Sequence, residues 1–273
     1  MGELEIRSST DEAHREPGFL DLTGREIGRY RIQQRLGRGG VTTVYQAYDS
    51  VDDMPVALKV LLHGSDTKLY NRFRQEAQTA AKLRHSHIVR TLRVGVTPGT
   101  DTAYIAMELV EGEDLAALLA RHRRLSPEES CLLLEPIAHA LAYAHMQQVI
   151  HRDVKPSNIL LSTQGVPKLV DFGLARPLTE NRHTLSGQVL GSDGYMAPEQ
   201  AADARNATGA SDQYSIAATL YQMVTGQAPR KLDFRRVPAL LVDVLARALE
   251  DQPGDRYASL NDWVAALEAA IDR

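Results

Sequence analysis

The 273-residue chain is poor in cysteine, and its only thiol is Cys131. A single cysteine can form neither an internal disulfide nor a cysteine zinc cluster. It lies in the helical apolar pattern CLLLEPIAHAL, which favours a small core residue over a catalytic thiol. Residues of other types must therefore carry any chemistry.

Long apolar runs are also missing. The longest candidate, VPALLVDVLARAL, is interrupted by Asp243 and Arg247, well short of the roughly 18 apolar residues that a membrane-spanning helix needs. The first residues mix acids and bases without the apolar core of a signal peptide, and Ile6 stands where a myristoylation signal requires serine or threonine. We expect a cytoplasmic protein with no membrane segment in this chain.

An excess of positive charge is absent as well. The chain has 31 Lys and Arg against 35 Asp and Glu, a formal net charge of -4. Because proteins that bind nucleic acid usually present a basic domain or stripe, we expect no nucleic-acid partner. The length suits one large domain or two lobes that share a cleft.

Alternating apolar and polar residues predict a β-rich N-terminal part. Residues 1–27 lack apolar periodicity and predict a flexible arm. The runs YRIQQRL, TTVYQAYD, PVALKVLL, HIVRTLRVGV and TAYIAMELV predict five strands, with a glycine-rich tip between the first two. The run KLYNRFRQEAQTAAKLRH predicts one helix from the spacing of Phe73, Ala77, Ala80 and Leu83.

Helical patterns dominate after Gly112. The run SPEESCLLLEPIAHALAYAH opens with a capping box, in which Ser126 is the cap and Glu129 lies three residues later. Three more helices are predicted by SDQYSIAATLYQMVTG, VPALLVDVLARALED and SLNDWVAALEAAI, with Trp263 on the apolar face of the last.

The predicted fold class is α+β with two lobes. A five-stranded β-sheet lobe with one helix covers about residues 28–109, and a larger, mainly helical lobe covers about residues 113–271.

Two features of the N-terminal part suit a phosphate site. LGRGGVTTV, residues 36–44, has glycines whose backbone N–H groups can approach a phosphate, although many ordinary hairpins also carry glycines. Lys59 lies in the apolar strand VALKV, where a charge is unfavourable unless it faces a cleft and finds a partner such as Glu76. The alternative is that both side chains extend to solvent.

Two polar segments of the C-terminal part predict chemistry. HRDVKPSNILL, residues 151–161, crowds charges onto one turn and then becomes apolar, which is typical of a polar loop held at the rim of a packed sheet. KLVDFGLA ends a strand with Asp171 and Gly173, which suits a metal ligand on a loop, although acid–glycine turns are common.

Taken in order, GRGGVTTV, VALK, a helix glutamate, HRDVKPSN, DFG and APE resemble the eukaryotic-like (Hanks-type) bacterial serine/threonine protein kinases. The resemblance covers residues 30 to about 270 and implies a kinase catalytic domain at 28–271. It implies transfer of the γ-phosphoryl group of ATP to serine or threonine hydroxyls of protein substrates in bacterial signalling. The implied cofactors are ATP and Mg²⁺, with Mn²⁺ as an alternative ion.

The resemblance also assigns an ATP site. Glu108 and Val110 would bind adenine through their backbones, and Met107 would be the gatekeeper behind the base. Val44, Ala57 and Leu160 would sandwich the ring. The implied ATP-binding residues are Leu36, Gly37, Arg38, Gly39, Gly40, Val41, Thr42, Thr43, Val44, Ala57, Lys59, Met107, Glu108, Val110, Asn158 and Leu160.

Six positions carry the implied chemistry. Asp153 would accept or orient the proton of the substrate hydroxyl, and Lys155 would steady the transferring phosphoryl group. Asn158 and Asp171 would hold Mg²⁺. Lys59 would contact the α- and β-phosphates and pair with Glu76.

Further roles are implied outside these groups. Glu199 would pair with Arg256, and Asp212 would brace the catalytic loop. We expect Thr184 and Ser186 to be autophosphorylated and to order the activation loop; the alternative is an unmodified, mobile loop.

The chain departs from the family pattern in several places. Thr42 stands where a third glycine is usual, Asp193 replaces a proline, and Ala217 replaces a glycine. Only KLDFRRVP, residues 231–238, stands where the family has a further helix and loop for substrate docking. We expect this loss to expose apolar surface that a regulatory partner or a second copy in a homodimer would cover.

Two alternative functions remain open. The chain could be a catalytically weak kinase-fold scaffold, but every implied catalytic residue type is present. It could also phosphorylate small molecules; the APE segment and the serine/threonine-type activation loop argue against that.

Overall fold

The computed structural model describes residues 21–39, 41–61, 67–97, 102–172 and 194–272. The side chains at 67–69, 72 and 76 lie outside this description. Most of the predicted arm, residues 1–20, also lies outside it.

The N-terminal lobe is built on one antiparallel sheet of six strands in the order β1-β2-β3-β4-β6-β5. One helix, α1 (Thr67–Ala80), packs against β5 and β6. The strands are β1 (Glu26–Ile27), β2 (Tyr30–Arg38), β3 (Thr42–Asp49), β4 (Met54–Leu61), β5 (Thr91–Thr97) and β6 (Thr102–Glu108).

The structure corrects two predictions for this lobe. The sheet has six strands because the short β1 pairs Ile27 with Tyr30, and Ile27 is buried. The predicted arm therefore extended too far, since residues 26 and 27 belong to the sheet. Two residues are too few for alternation to be visible in the sequence.

Strand β4 separates two environments, as its alternation predicts. Val56, Leu58 and Val60 are buried in one cluster with Tyr30 and Tyr45. Because successive side chains of a strand point to opposite faces, Ala57 and Lys59 lie on the other face. That face carries the site described below.

The C-terminal lobe is mainly helical and carries a small second sheet. Its helices are α2 (Leu115–His122), α3 (Pro127–Met146), α4 (Pro198–Ala202), α5 (Gly209–Thr225), α6 (Val242–Ala248) and α7 (Leu260–Ile271). Its sheet has β7 (Gly112–Asp114), β8 (Ile159–Ser162) and β9 (Pro167–Leu169) in the order β7-β8-β9. The sequence patterns predicted a strand that ends at Asp171, where the structure has β9, but they predicted neither α2 nor the strands β7 and β8.

Predicted helix features are confirmed in this lobe. The Ser126 hydroxyl accepts from the N–H of Glu129 at 3.1 Å, and the Glu129 carboxylate accepts from the N–H of Ser126 at 2.9 Å. Trp263 is fully buried in the core between the helices. The helix predicted from residue 237 begins later, because a 3-10 turn at Ala239–Leu241 precedes α6.

The apolar side chains of the shortened segment after Arg230 pack against the lobe. This is contrary to the expectation that the loss of a helix exposes apolar surface. Leu232 and Phe234 are half-buried against the large core cluster, and Val237 is buried within it. A 3-10 turn at Phe234–Arg236 allows this packing, because it brings Phe234 back onto the lobe. Of the large apolar side chains at 231–241, Leu240 is the exposed one.

Two absences were also expected. No helix among the described residues has the length and apolarity needed to cross a membrane.

Burial raises the pKa of the half-buried Cys131 thiol to about 11, so at neutral pH this thiol is protonated and unreactive.

Candidate active site between the lobes

The polar loop at 151–158 is fixed from below by Asp212 of the buried helix α5. One carboxylate oxygen, Oδ1, accepts from the N–H of Arg152 at 2.8 Å. The other, Oδ2, accepts from the N–H of His151 at 2.8 Å and from Nε2 of His145 at 2.7 Å. This is the bracing role predicted for Asp212. It holds Arg152 at a φ of 71°, a conformation that non-glycine residues keep only where their surroundings impose it.

His151 connects this loop to the end of β9. Its Nδ1 accepts from the N–H of Asp153 at 3.2 Å, so its proton lies on Nε2, which donates to the carbonyl oxygen of Val170 at 2.8 Å. The ring also packs edge-on against Phe172, with centroids 4.7 Å apart. The loop that carries Asp153 and the segment that carries Asp171 are therefore held together.

Three predicted residues meet at the carboxylate of Asp153. Its Oδ2 accepts from Nζ of Lys155 at 2.6 Å and from Nδ2 of Asn158 at 3.1 Å. Nδ2 of Asn158 also donates to the backbone oxygen of Asp153 at 2.7 Å. The Asp153 side chain is 39% exposed, so a reactant can still approach it. Its Oδ1 accepts no hydrogen bond from the residues that the structure describes.

An ion pair joins the two lobes across this site. Nζ of Lys59 lies 2.7 Å from Oδ1 of Asp171, and the Lys59 side chain is only 7% exposed. Asp171 has a φ of 63°, and the preceding Val170 N–H donates to the carbonyl oxygen of Asn158 at 3.0 Å. The predicted partner Glu76 has its side chain outside the described part, so that pair stays a prediction.

The side-chain oxygens without hydrogen bonds in this site suit a magnesium ion whose other ligands come from a bound nucleotide. Among the described residues, Oδ2 of Asp171 and the side-chain oxygen of the buried Asn158 accept no hydrogen bond. One carboxylate and one amide oxygen match the hard ligands that Mg²⁺ takes from protein while phosphates and water supply the rest. No group of three or more His, Cys, Asp or Glu in the described ranges could hold a metal by itself.

The predicted adenine-binding residues lie on neighbouring rows of the sheet. In the strand register Ala57 is the partner of Met107, and Val44 is the partner of Lys59. Ala57 is buried, whereas Val44 and Met107 are half-buried. Leu160 contributes a half-buried side chain from β8 in the other lobe. These four predicted side chains are thus apolar, as a purine ring requires.

The glycine-rich tip between β2 and β3 leaves apolar groups uncovered. Leu36 and Val41 are both exposed, and the Gly39 N–H donates to the Thr42 carbonyl oxygen at 2.8 Å. Gly37 and Arg38 end β2, whereas Thr42 and Thr43 begin β3. Gly40 lies outside the described residues.

The join between the lobes is held by Glu108, through a contact that sequence reasoning missed. The Oε1 atom of Glu108 accepts from Nζ of Lys168 at 2.7 Å and from the N–H of Arg90 at 3.0 Å. Lys168 lies on β9, sixty residues along the chain, and no local pattern marks such a pair. Within the described ranges the Val110 N–H has no acceptor, so it is available to a ligand.

A buried ion pair supports the site from the far side. Arg256 donates two hydrogen bonds of 2.8 Å to Glu199, and its side chain is fully buried. It also donates to the carbonyl oxygens of Ala210, Glu250 and Asp251. The predicted pair between Glu199 and Arg256 is therefore present.

The pKa of Glu199 reflects this environment. Burial acts to raise the pKa, but hydrogen bonds from Arg256 and Ser211 outweigh burial and hold the pKa below the usual 4.5. Next to Glu199, Nε2 of Gln200 donates to the carbonyl oxygen of Arg152 at 2.7 Å. Helix α4 is thereby hydrogen-bonded both to Arg256, which precedes α7, and to the polar loop at 151–158.

A sheet lobe and a helical lobe, joined at Glu108 and sharing a site that includes Lys59, Asp153 and Asp171, define the protein kinase fold. The family model for the protein kinase domain matches residues 30–238. The chain belongs to this family. The predicted sites Thr184 and Ser186 lie outside the described residues and stay predictions.

Relatives are consistent with this placement. The chain is 35% identical to the serine/threonine-protein kinase PrkC of Bacillus subtilis over 92% of this chain and 42% of PrkC. It is 35% identical to PknE of Mycobacterium tuberculosis over 91% of this chain and 47% of PknE. The chain thus spans less than half of each of these two relatives.

A solved structure extends the comparison to the fold. The crystal structure of the Mycobacterium tuberculosis PknI kinase domain superposes with a TM-score of 0.75 at 30% identity, covering 92% of this chain and all of that domain. The predicted resemblance to bacterial serine/threonine protein kinases and the bilobal fold are confirmed.

Proposed function

We propose that this domain transfers the γ-phosphoryl group of ATP to serine or threonine hydroxyls of proteins, and that residues 28–271 form its catalytic unit. One observation carries the assignment of the site. Lys59 of one lobe lies 2.7 Å from Asp171 of the other, while Asp153 and Asn158 are hydrogen-bonded to each other in the same loop system. Two carboxylates, an amide and an ammonium group would thereby act together in the proposed site.

Asp153 positions the substrate hydroxyl. Its Oδ2 is committed to Lys155 and Asn158, whereas its Oδ1 is available to accept the proton of an incoming hydroxyl. Phosphoryl transfer depends on positioning and charge stabilisation more than on a strong base. The fixed loop therefore matters as much as the carboxylate, and Lys155 supplies positive charge next to it.

Lys59, Asn158 and Asp171 bind the nucleotide and its ion. Lys59 faces the cleft with an ammonium group that ATP phosphates can share with Asp171, and Asn158 and Asp171 offer the two open oxygens. When bound, ATP with Mg²⁺ supplies the phosphoryl group and neutralises its charge. Mn²⁺ has the same preference for oxygen ligands and serves as an alternative ion.

The apolar face holds adenine. Val44, Ala57 and Leu160 enclose the ring from both lobes, Met107 lies behind it, and the Val110 N–H donates to it. Leu36 and Val41 of the glycine-rich tip cover the phosphates and ribose. The supply of ATP places the reaction in the cytoplasm.

Incorporation of labelled phosphate tests this proposal. We expect transfer from γ-labelled ATP to a generic protein substrate with Mg²⁺, and hydrolysis of the product to phosphoserine and phosphothreonine. Lys59→Met should lower transfer by about 100-fold or more, because a buried charge at the phosphates is worth several kcal/mol. Nucleotide binding without transfer in the wild type would instead support the scaffold alternative.

Activation by autophosphorylation is part of the same proposal. Arg152 is exposed next to the catalytic carboxylate, where a guanidinium can receive a phosphate group. Mass spectrometry after incubation with ATP and Mg²⁺ should find phosphate on Thr184 or Ser186. Phosphate on neither residue in an active enzyme would contradict this.

A further inference from the structure

The short segment that replaces a docking helix is strongly basic. Residues 230–236, RKLDFRR, hold four basic side chains and one acid, in a chain whose net charge is -4. We call residues 230–236 the basic segment. A cluster of this sign on an acidic protein is a feature that a partner of opposite charge can recognise.

The basic segment is held in a defined position. The N–H of Asp233 donates to the hydroxyl of Tyr221 on α5 at 2.9 Å. Leu232 and Phe234 pack against the core of the lobe. The charged side chains therefore extend from a backbone anchored to the most buried helix of the protein.

Two of its cations are available to a partner. Arg230 and Lys231 are exposed, and neither forms an ion pair or side-chain hydrogen bond with any residue that the structure describes. Arg235 and Arg236 both pair with Asp233, at 2.8 Å and 3.5 Å, and their side chains are 90% and 57% exposed. One carboxylate cannot neutralise all four cations, so the segment keeps a positive surface.

The basic segment lies against the loop that leads into α4. A Cβ built on Gly194 would be 2.7 Å from the carbonyl carbon of Pro229 and 2.8 Å from the nitrogen of Arg230, so the two backbones are in contact. Burial raises the pKa of the neighbouring Tyr195 to about 12, and the charge of Arg230 acts in the opposite direction. Arg230 is therefore close to this loop.

The helix that follows this loop contacts the segment that carries Asp153. Gln200 of α4 donates to the carbonyl oxygen of Arg152, the residue that precedes Asp153. A peptide that presents its hydroxyl to Asp153 continues over this surface, and each extended residue advances it by roughly 3.3 Å. Side chains a few positions from the phosphoacceptor then come within reach of the basic segment.

We propose that the basic segment selects protein substrates in which acidic residues flank the serine or threonine to be phosphorylated. Arg230 and Lys231 are the specificity-determining residues, because their charges are unpaired and adjacent to the loop before α4. This inference rests on the proposed kinase function and assigns a substrate class to the same site.

Paired peptides test the inference. One peptide carries a single threonine with glutamates on both sides, and its match carries glutamine at each of those positions. We expect the wild type to prefer the acidic peptide by roughly three- to tenfold in kcat/KM at low salt, since exposed ion pairs each contribute a few-fold. Salt at 0.5 M, a concentration we choose to shorten the screening length below roughly 5 Å, should remove most of that preference.

Variants assign the preference to its residues. The double variant Arg230→Gln with Lys231→Gln should phosphorylate both peptides equally while keeping the wild-type rate on the glutamine peptide. Lys82→Gln, which removes one exposed cation from the other lobe, should keep the preference. Equal rates in the wild type, or a preference that survives in the double variant, would overturn the inference.

Failure of the kinase proposal would be distinguishable. If the wild type phosphorylates the glutamine peptide without preferring the acidic one, the inference alone is wrong. If neither peptide nor any protein is phosphorylated, the proposed activity is wrong. Fluorescence anisotropy of the labelled acidic peptide then decides the inference, which requires tighter binding by the wild type than by the double variant.

Discussion

The substitution Asp212→Asn tests how the catalytic loop is held. Asp212 is fully buried and accepts from the N–H groups of His151 and Arg152 and from the ring of His145. Asparagine has the same shape, but one of its two terminal groups is a donor. An NH₂ group must then face a backbone N–H that has no alternative acceptor.

The hydrogen bonds around Asp212 indicate which orientation of the asparagine amide is less unfavourable. With its oxygen at the Oδ2 position, asparagine keeps the bonds from His151 and His145 and leaves the N–H of Arg152 unpaired. One orphaned buried donor costs about 1–3 kcal/mol, and the opposite orientation leaves the N–H of His151 unpaired and also requires His145 to change its tautomer. We therefore expect a loss of about 1–3 kcal/mol in the free energy of unfolding.

Catalysis should fall along with stability. Arg152 precedes Asp153, so relaxation at its N–H displaces the carboxylate that positions the substrate. If the whole loss appeared in the transition state, kcat would fall by about 5- to 150-fold. The KM for ATP should change less, because Lys59 and Val110, which we propose to bind the nucleotide, lie on other elements.

Urea unfolding and steady-state kinetics measure both effects. The matched control is Asp203→Asn, because Asp203 pairs only with neighbouring Arg205 on the surface and should leave both quantities unchanged. A variant Asp212→Asn with wild-type kcat would refute the claim that this carboxylate sets the geometry of the loop.

Three further predictions concern stability. Arg256→Met should cost about 3–5 kcal/mol in urea unfolding, because it leaves the carboxylate of Glu199 without its buried partner; a loss under 1 kcal/mol would contradict it. Because the pKa of Glu199 is depressed in the folded state, its contribution is fully present above about pH 4.5 and is lost as the pH falls through the folded pKa. Urea midpoints should therefore fall below that pH, with a shallower fall in Glu199→Gln; equal slopes would argue against the linkage. Ser126→Ala removes the capping hydroxyl of α3 and should lower the melting temperature by about 2–4 °C, whereas Ser157→Ala, at an exposed residue, should not.

Local patterns predicted the long elements and the face of β4 on which Lys59 lies. The alternation of β4 predicted that Lys59 lies on the face opposite Val56, Leu58 and Val60. The capping box predicted that α3 begins at Pro127. Both signals are contained within a few residues, so tertiary packing had little room to change them.

Short elements and distant contacts were not predictable in the same way. β1 has two residues and β7 has three, so their formation depends on partner strands rather than on local propensity. The pair between Lys168 and Glu108 joins positions sixty residues apart. Only the fold brings them together.

The segment after Arg230 shows why the expectation of an exposed apolar surface was wrong. The loss of a helix predicted exposed apolar residues, but the remaining Leu232 and Phe234 turn inward and cover the core. The side chains left outside are cations. Where the family has a further helix, the surface of this segment is therefore positively charged rather than apolar.

Single-turnover transfer by Asp153→Asn is the most direct test of the proposed convergence at one cleft. Because Asp153 positions the hydroxyl but does not hold the nucleotide, the Kd for ATP should stay within about threefold of the wild type. The rate of phosphoryl transfer should fall by about 100-fold or more, the contribution usual for a positioned acid or base. A variant that transfers phosphate at the wild-type rate would contradict the account.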